Sequence, residues 1–165
     1  MITVHPKVIT RWVRYVCYTV VIVLLWQFLS DFSFLKVSAG DNSVLGVTGR
    51  RSLVVKNYDS EQARPERGEV VVFLMEGSDG APIKRVARVA GIPGDRITAG
   101  AEFLEVNGEP TIFDASEAGR LAGRIPDGMY LLLNDNPYST FADSRRTGLI
   151  PRQVIVGRFL VESPF

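Results

Sequence analysis

Lys84 is the residue of this chain best suited to act as a chemical base. It lies within residues 83–90, which mix apolar and basic side chains, just before the turn at residues 91–94 (GIPG). A lysine in such a strand pattern is expected to lean toward the core, where desolvation disfavours the ammonium and a neutral amine can accept a proton. The only histidine is His5 and the only cysteine is Cys17, both near the N-terminus. If the C-terminal part is an enzyme, the composition therefore favours a serine activated by a lysine.

Composition narrows the possible partners and cofactors. The net charge of +1 and the lack of a basic stripe argue against a nucleic-acid partner. One cysteine and one histidine cannot build a disulfide framework or a cysteine-rich zinc site, so we expect no metal and no cofactor. The 165 residues suffice for a membrane segment and one domain of ~125 residues.

An apolar segment near the N-terminus predicts a membrane anchor. Residues 15–30 carry no charge, and counting from Trp12 gives the ~20 residues that a spanning helix needs. We therefore assign residues 12–32 to the anchor, 1–11 to a cytoplasmic N-terminus and 33–165 to an exported domain. The orientation follows from the basic residues that precede the segment, Lys7, Arg11 and Arg14.

A buried core helix and a cleavable signal peptide are the two alternatives to a membrane anchor. A buried core helix is disfavoured by the length and hydrophobicity of the segment. A cleavable signal peptide is the stronger rival, because residues 37–39 (VSA) would permit cleavage after Ala39. The apolar core is long for a signal peptide, which favours an uncleaved anchor.

The exported part is predicted to be one mostly β domain. Short valine-rich runs alternate with turns, and the run at residues 69–74 is apolar enough for burial on both faces. The Asn107-Gly108 pair predicts a tight hairpin. Only residues 114–122 have weak helical character. The remaining predicted strands are residues 52–56, the run that begins at Ile83, residues 129–133 and residues 154–161.

Three ordered blocks resemble the type I signal peptidases. They are residues 67–73 (RGEVVVF), residues 83–95 (IKRVARVAGIPGD), and residues 134–145 (NDNPYSTFADSR) followed by Gly148 and Gly157. The resemblance implies an antiparallel β domain anchored in the bacterial cytoplasmic membrane, with a Ser/Lys dyad that cleaves precursors carrying export signals. The short chain also resembles the peptidases that mature pilin-like substrates in conjugative transfer.

The same resemblance points to Ser43 as the nucleophile. Ser43 precedes Lys84 at about the family's spacing, but Val44 and Gly46 stand where the family has methionine and proline. Ser38 and Ser52 are the fallback candidates. The Ser43 backbone N–H, assisted by Asn42, is the expected donor to the oxyanion.

The register of the base leaves two interpretations open. The family places its lysine four residues before the glycine that corresponds to Gly91, and that count reaches Ala87. Lys84 lies three residues further upstream, and an odd offset turns a strand side chain to the other face. Either a β-bulge or a longer hairpin absorbs the extra residues and Lys84 is the base, or Ala87 occupies the position of the base and the site is inactive.

The resemblance also implies supporting residues and two alternative functions. Ser139 or Thr140 would hydrogen-bond the lysine, and Asp143 and Arg145 would form a supporting ion pair. The predicted function is a membrane-anchored endopeptidase that removes signal or leader peptides. The alternative is an inactive homologue that serves as a membrane-tethered binding or assembly module.

Overall fold

A computed structural model of the chain describes residues 6–36, 43–44, 52–58, 63–77 and 79–163. Helix α1 covers Pro6–Ser30. Within it, Arg11–Ser30 is long and apolar enough to cross a membrane, with a mean hydropathy of 1.6. None of this stretch is buried against the rest of the protein, so the interpretation as a core helix is wrong.

The rest of the described chain is mostly β, as predicted. The strands are β1 (Phe32–Lys36), β2 (Ser52–Asn57), β3 (Val70–Glu76), β4 (Pro82–Gly91), β5 (Arg96–Ala99), β6 (Phe103–Val106), β7 (Glu109–Asp114), β8 (Gly123–Arg124), β9 (Met129–Leu133), β10 (Ile150–Pro151) and β11 (Ile155–Ser163). The one-turn helix α2 covers Ser144–Thr147, and short 3₁₀ helices cover Ala115–Arg120 and Arg152–Val154. The weak helical character predicted at residues 114–122 thus corresponds to a 3₁₀ helix.

A seven-stranded antiparallel sheet forms the larger layer, in the order β1-β2-β11-β3-β4-β9-β10. Strand β3 lies near its middle and is buried on both faces, as its apolar run predicts. Val71 and Phe73 pack into one core cluster, whereas Val72 packs into another on the opposite face. The two faces of β4 contribute to the same two clusters, and this arrangement decides where its side chains point.

A four-stranded sheet in the order β7-β6-β5-β8 packs against the other layer. Leu104 and Phe113 from this sheet share a buried cluster with Leu131 and Leu133 of β9. The predicted hairpin is present between β6 and β7, since Asn107 and Gly108 have φ angles of 56° and 82°. Left-handed values at both central positions are those of a type I′ turn, which explains the Asn-Gly pair.

We expect Gly157→Ala to destabilise the larger sheet. Gly157 lies where β11 changes register against β3, and an added Cβ would come within 2.6 Å of the Lys56 carbonyl oxygen. Because that neighbour is backbone, the clash should lower the free energy of unfolding by about 1–3 kcal/mol. Urea unfolding measures it, with Gly119→Ala as the control because an added Cβ there meets nothing within 4 Å. Equal stability of the two variants would contradict the prediction.

Candidate active site

Ser43 is held in a fixed position between two elements. Its carbonyl oxygen accepts hydrogen bonds from the backbone N–H groups of Asp135, at 2.6 Å, and Asn136, at 3.3 Å. Its hydroxyl donates to the carbonyl oxygen of Val86 at 3.2 Å. The residue is only 3% exposed, and the next side chain, Val44, packs in the same cluster as Val86. A loop serine with this many contacts is positioned by the fold.

The contact with Val86 places Ser43 on one particular edge of β4. The Val89 carbonyl accepts from Gly68 N–H on the β3 side. Since carbonyl directions alternate along a strand, the Val86 carbonyl points to the opposite edge. The pairing with β9 on that edge reaches no further than Arg88, opposite Leu133. Ser43 therefore lies where β9 has left the sheet and the edge of β4 is open to it.

An ion pair between Arg88 and Asp135 supports this arrangement. Arg88 Nε and Nη2 donate to the two oxygens of Asp135, both at 2.7 Å, and Nη1 donates to the Gly68 carbonyl. The hydrogen bond to Asp135 raises the pKa of Arg88, so the pair stays charged. Because the Asp135 backbone N–H binds Ser43, the pair fixes the serine relative to β4. Sequence reasoning did not assign this role, although both residues lie within the blocks that carry the family resemblance.

Lys84 lies in a regular part of the β3–β4 ladder. The ladder runs from Val70 opposite Arg88 to Glu76 opposite Pro82, with Lys84 opposite Leu74. The register shift of β4 lies further along, between Val89 and Gly91 in the pairing with β9, and the role of Lys84 as the base stays a prediction. Lys84 is also exposed, so the expectation that it leans into the core is wrong. Lys84 lies in the part of β4 that extends past the end of β9 toward the hairpin turn.

Ala87 lies on the opposite face of β4 from Lys84. It is fully buried and packs in one cluster with Val71 and Phe73. Arg85 shares this face by strand alternation, and its guanidinium stacks over the Phe141 ring at 4.5 Å. Phe141 therefore contacts a side chain that shares the face of Ala87.

The other predicted serine, threonine and asparagine residues differ in burial and in position. Ser139 is 5% exposed and its hydroxyl accepts from Phe141 N–H at 3.3 Å, whereas Thr140 is exposed. Asn42 and the fallback Ser38 lie outside the described residues. Ser52 begins β2, at the far end of the sheet from the edge that Ser43 occupies.

Asp143 and Arg145 form a buried structural unit below this loop. Asp143 is fully buried and accepts from the backbone N–H groups of Asn134 and Arg145, each at 3.0 Å. Arg145 Nη2 lies 3.0 Å from Asp143 Oδ2, so the side chains also form an ion pair. The Arg145 guanidinium lies over the Phe113 ring at 4.3 Å and donates to the Pro137 carbonyl. The unit ties the loop at residues 134–145 to both sheets.

This arrangement supports nucleophilic chemistry more readily than metal chemistry. Within the described ranges, no three histidine, cysteine or carboxylate side chains converge in a way that could hold a metal ion. Ser43 combines a buried hydroxyl with a carbonyl group held by the backbone N–H groups of Asp135 and Asn136.

An apolar N-terminal helix precedes an antiparallel β domain in which a buried serine is fixed against β4. The family described as signal peptidase, peptidase S26, matches residues 9–162. The chain belongs to this family.

Individual relatives agree with the family assignment. The chain is 31% identical over 120 residues to a probable signal peptidase I-2 of Synechocystis sp., covering 66% of this chain and 53% of the relative. It is 34% identical over 115 residues to signal peptidase IB of Staphylococcus aureus, covering 56% and 58%. The chain thus spans little more than half the length of these relatives. A solved signal peptidase I from Enterococcus faecalis is 21% identical with a TM-score of 0.41, covering 60% of this chain and 98% of that one.

Proposed function

We propose that this chain is a membrane-anchored serine endopeptidase that removes signal or leader peptides, with Ser43 as its nucleophile. The observation that carries the proposal is the placement of Ser43, buried and hydrogen-bonded at the open edge of β4 in a chain of the signal peptidase family. Helix α1 would be the anchor, with the N-terminus in the cytoplasm and the β domain outside.

Lys84 is the proposed base, because its side chain shares a face of β4 with Val86, whose carbonyl accepts the Ser43 hydroxyl at the open edge of the strand. On that edge, none of the described strands pairs with residues 82–87. Lys84 is two residues from Val86, a separation of about 6.6 Å along a strand. The flexible four-carbon stem of lysine is suited to covering this distance. Substrate binding beside β4 would remove the amine from water and favour its neutral form.

The proposed reaction has two halves. Neutral Lys84 Nζ takes the proton of Ser43 Oγ as this oxygen bonds to the scissile carbonyl carbon, and the lysine then gives the proton to the departing amine. Water, deprotonated by the same lysine, attacks the acyl-enzyme and releases Ser43. The Ser43 N–H and the Asn42 side chain would donate to the oxyanion.

The substrate would be an extended segment with small residues before the cut. A pilin-like precursor of a conjugative transfer system is the narrower possibility, and a general secretory precursor the broader one. We expect the detergent-solubilised full chain to cleave at least one precursor, pilin-like or secretory, that carries an Ala-x-Ala site. It should not cleave the same precursor when the site is changed to Lys-x-Lys. No cleavage of either class would contradict the proposal.

A second function is favoured by one observation. Ala87 stands four residues before Gly91, where the family resemblance places the lysine, and its buried methyl group cannot accept a proton. A chain that keeps the scaffold and the serine without a base on this face would bind extended peptides and not cut them. This candidate is the non-catalytic, membrane-tethered binding or assembly module.

Ala87→Lys distinguishes the two functions. If Ala87 marks a lost base, the variant should gain cleavage by about 10²-fold or more over the parent, because a positioned general base contributes 10²–10⁴-fold. If Lys84 is the base, the variant should be no faster than the parent. Ala87→Met is the matched control, since it adds a chain of similar length without an amine. Thermal unfolding of both variants checks that the crowded core around residue 87 still folds.

A further inference from the structure

The junction between α1 and the sheet is short and tightly hydrogen-bonded. Helix α1 ends at Ser30 and β1 begins at Phe32, so Asp31 alone separates them. Strand β1 pairs with β2 from its first residue, with Phe32 opposite Lys56. A junction of this length leaves the β domain little freedom to move relative to the helix.

Asn57 makes three hydrogen bonds at this junction. Its backbone N–H donates to the Asp31 carbonyl at 2.9 Å, and its side-chain Nδ2 donates to the Ser30 carbonyl at 3.3 Å. Its Oδ1 accepts from the Ser33 hydroxyl at 2.8 Å. The Ser30 carbonyl belongs to the last turn of α1, where intrahelical donors are lacking, so Asn57 supplies a C-terminal cap. One side chain thus binds the end of the helix and the start of the first strand.

Paired strands connect this junction to the nucleophile. Asn57 lies opposite Gly157 of β11, and Gly157 lies opposite Val72 of β3. Val72 in turn lies opposite Val86 of β4, whose carbonyl accepts the Ser43 hydroxyl. Each step is a cross-strand pair in one sheet, with strands about 4.8 Å apart. The position of Ser43 relative to the end of α1 is therefore fixed by backbone pairing across the whole path.

We infer that Asn57 is a positioning residue that sets the height of Ser43 above the bilayer. Its consequence, which rests on the proposed peptidase function, is that Asn57 sharpens the dependence of the cleavage rate on the distance between the cut and the substrate's own membrane segment.

The height can be measured without catalysis. A donor fluorophore on Glu102→Cys, in a Cys17→Ser background, reports energy transfer to acceptor-labelled lipid headgroups in liposomes that hold the full chain. Glu102 is exposed and lies far from the junction in sequence. We compare the parent, Asn57→Ala, and an insertion of Gly-Ser-Gly-Ser between Asp31 and Phe32. The control is the same insertion between Asp79 and Gly80, in the exposed β3–β4 turn.

The inserted residues should free the domain to move by up to about 13 Å, since an extended chain spans at most ~3.3–3.6 Å per residue. We expect a narrow distribution of donor–headgroup distances in the parent and the control, a broad one in the junction insertion, and an intermediate one in Asn57→Ala. An Asn57→Ala distribution identical to that of the parent would overturn the positioning role of Asn57, whether or not the chain is a peptidase.

The second measurement is cleavage of membrane-inserted precursors whose Ala-x-Ala site is moved away from the apolar segment in two-residue steps. We expect the parent's rate to fall about tenfold or more on either side of one spacing, because small misplacements are costly in catalysis. The junction insertion should flatten this profile and Asn57→Ala should widen it, whereas a merely destabilised protein loses rate equally at every spacing. Unchanged profiles would overturn the inference. If the parent cleaves none of the precursors, the proposed function is refuted, and the fluorescence distances still decide the positioning role.

Discussion

Lys84→Ala should lower kcat/KM for a cleaved precursor by about 10²–10⁴-fold, the contribution typical of a general base. The free energy of unfolding should stay within about 0.5 kcal/mol of the parent value, because Lys84 is exposed and opposes Leu74 at the outer part of the β3–β4 hairpin. Loss of rate without loss of stability is the signature of a chemical role. Initial cleavage rates and urea unfolding of the same preparations test both parts.

Two further variants sharpen this prediction. Lys84→Arg keeps the positive charge but cannot supply a neutral base, so it should be as slow as Lys84→Ala. Lys56→Ala removes another lysine of the sheet, on a strand that does not pair with β4, and should leave the rate unchanged. Full activity of Lys84→Ala would show that Lys84 is not the base. The assignment to Ser43 would then need a different proton acceptor.

Asp143→Ala should be the most destabilising single substitution in the site, costing about 3–5 kcal/mol as expected when one partner of a buried ion pair is removed. Asp143 is fully buried, so its removal leaves the backbone N–H groups of Asn134 and Arg145 without this acceptor. It also removes the ion-pair partner of the Arg145 guanidinium, which is itself mostly buried. Urea unfolding followed by far-UV circular dichroism would measure the change in the free energy of unfolding.

Asp143→Asn keeps two polar atoms in the same place and should cost less than Asp143→Ala, since its amide oxygen can still accept one backbone N–H. Asp127→Ala, at an exposed position before β9, is the matched control and should change stability by no more than about 0.5 kcal/mol. An Asp143→Ala protein as stable as the Asp127→Ala protein would show that the buried pair contributes nothing measurable.

Local patterns in the sequence predicted the elements of this fold well where one residue pair or one run decides the outcome. The Asn107-Gly108 turn needs left-handed backbone at two positions, and few other residue pairs tolerate it. The apolar run around Val71 and Val72 could only be a strand buried on both faces. Periodicity alone did not separate a helix from a 3₁₀ segment at Ala115–Arg120, because six residues make too few turns for a clear pattern.

The candidate site was harder to predict because it depends on strand register. Which of Lys84 and Ala87 takes the position of the base depends on the strand register between residues 84 and 91, and the sequence carries no mark that fixes this register. The pairing of Arg88 with Asp135 joins residues far apart in the chain, so only the sheet topology brings them together. By contrast, the two charges of Asp143 and Arg145 are two residues apart, and their proximity follows from the short turn that they begin.

The most direct test of the proposed function is the rate at which Ser43→Ala cleaves a precursor that the parent cleaves. Both proteins are measured in the same detergent, with a folding check by urea unfolding. If Ser43 is the nucleophile, the variant should lose about 10⁴-fold or more, because removal of a covalent nucleophile leaves only the binding and oxyanion contributions. Cleavage by Ser43→Ala at the parent rate would contradict the assignment of this serine and, with it, the proposed mechanism.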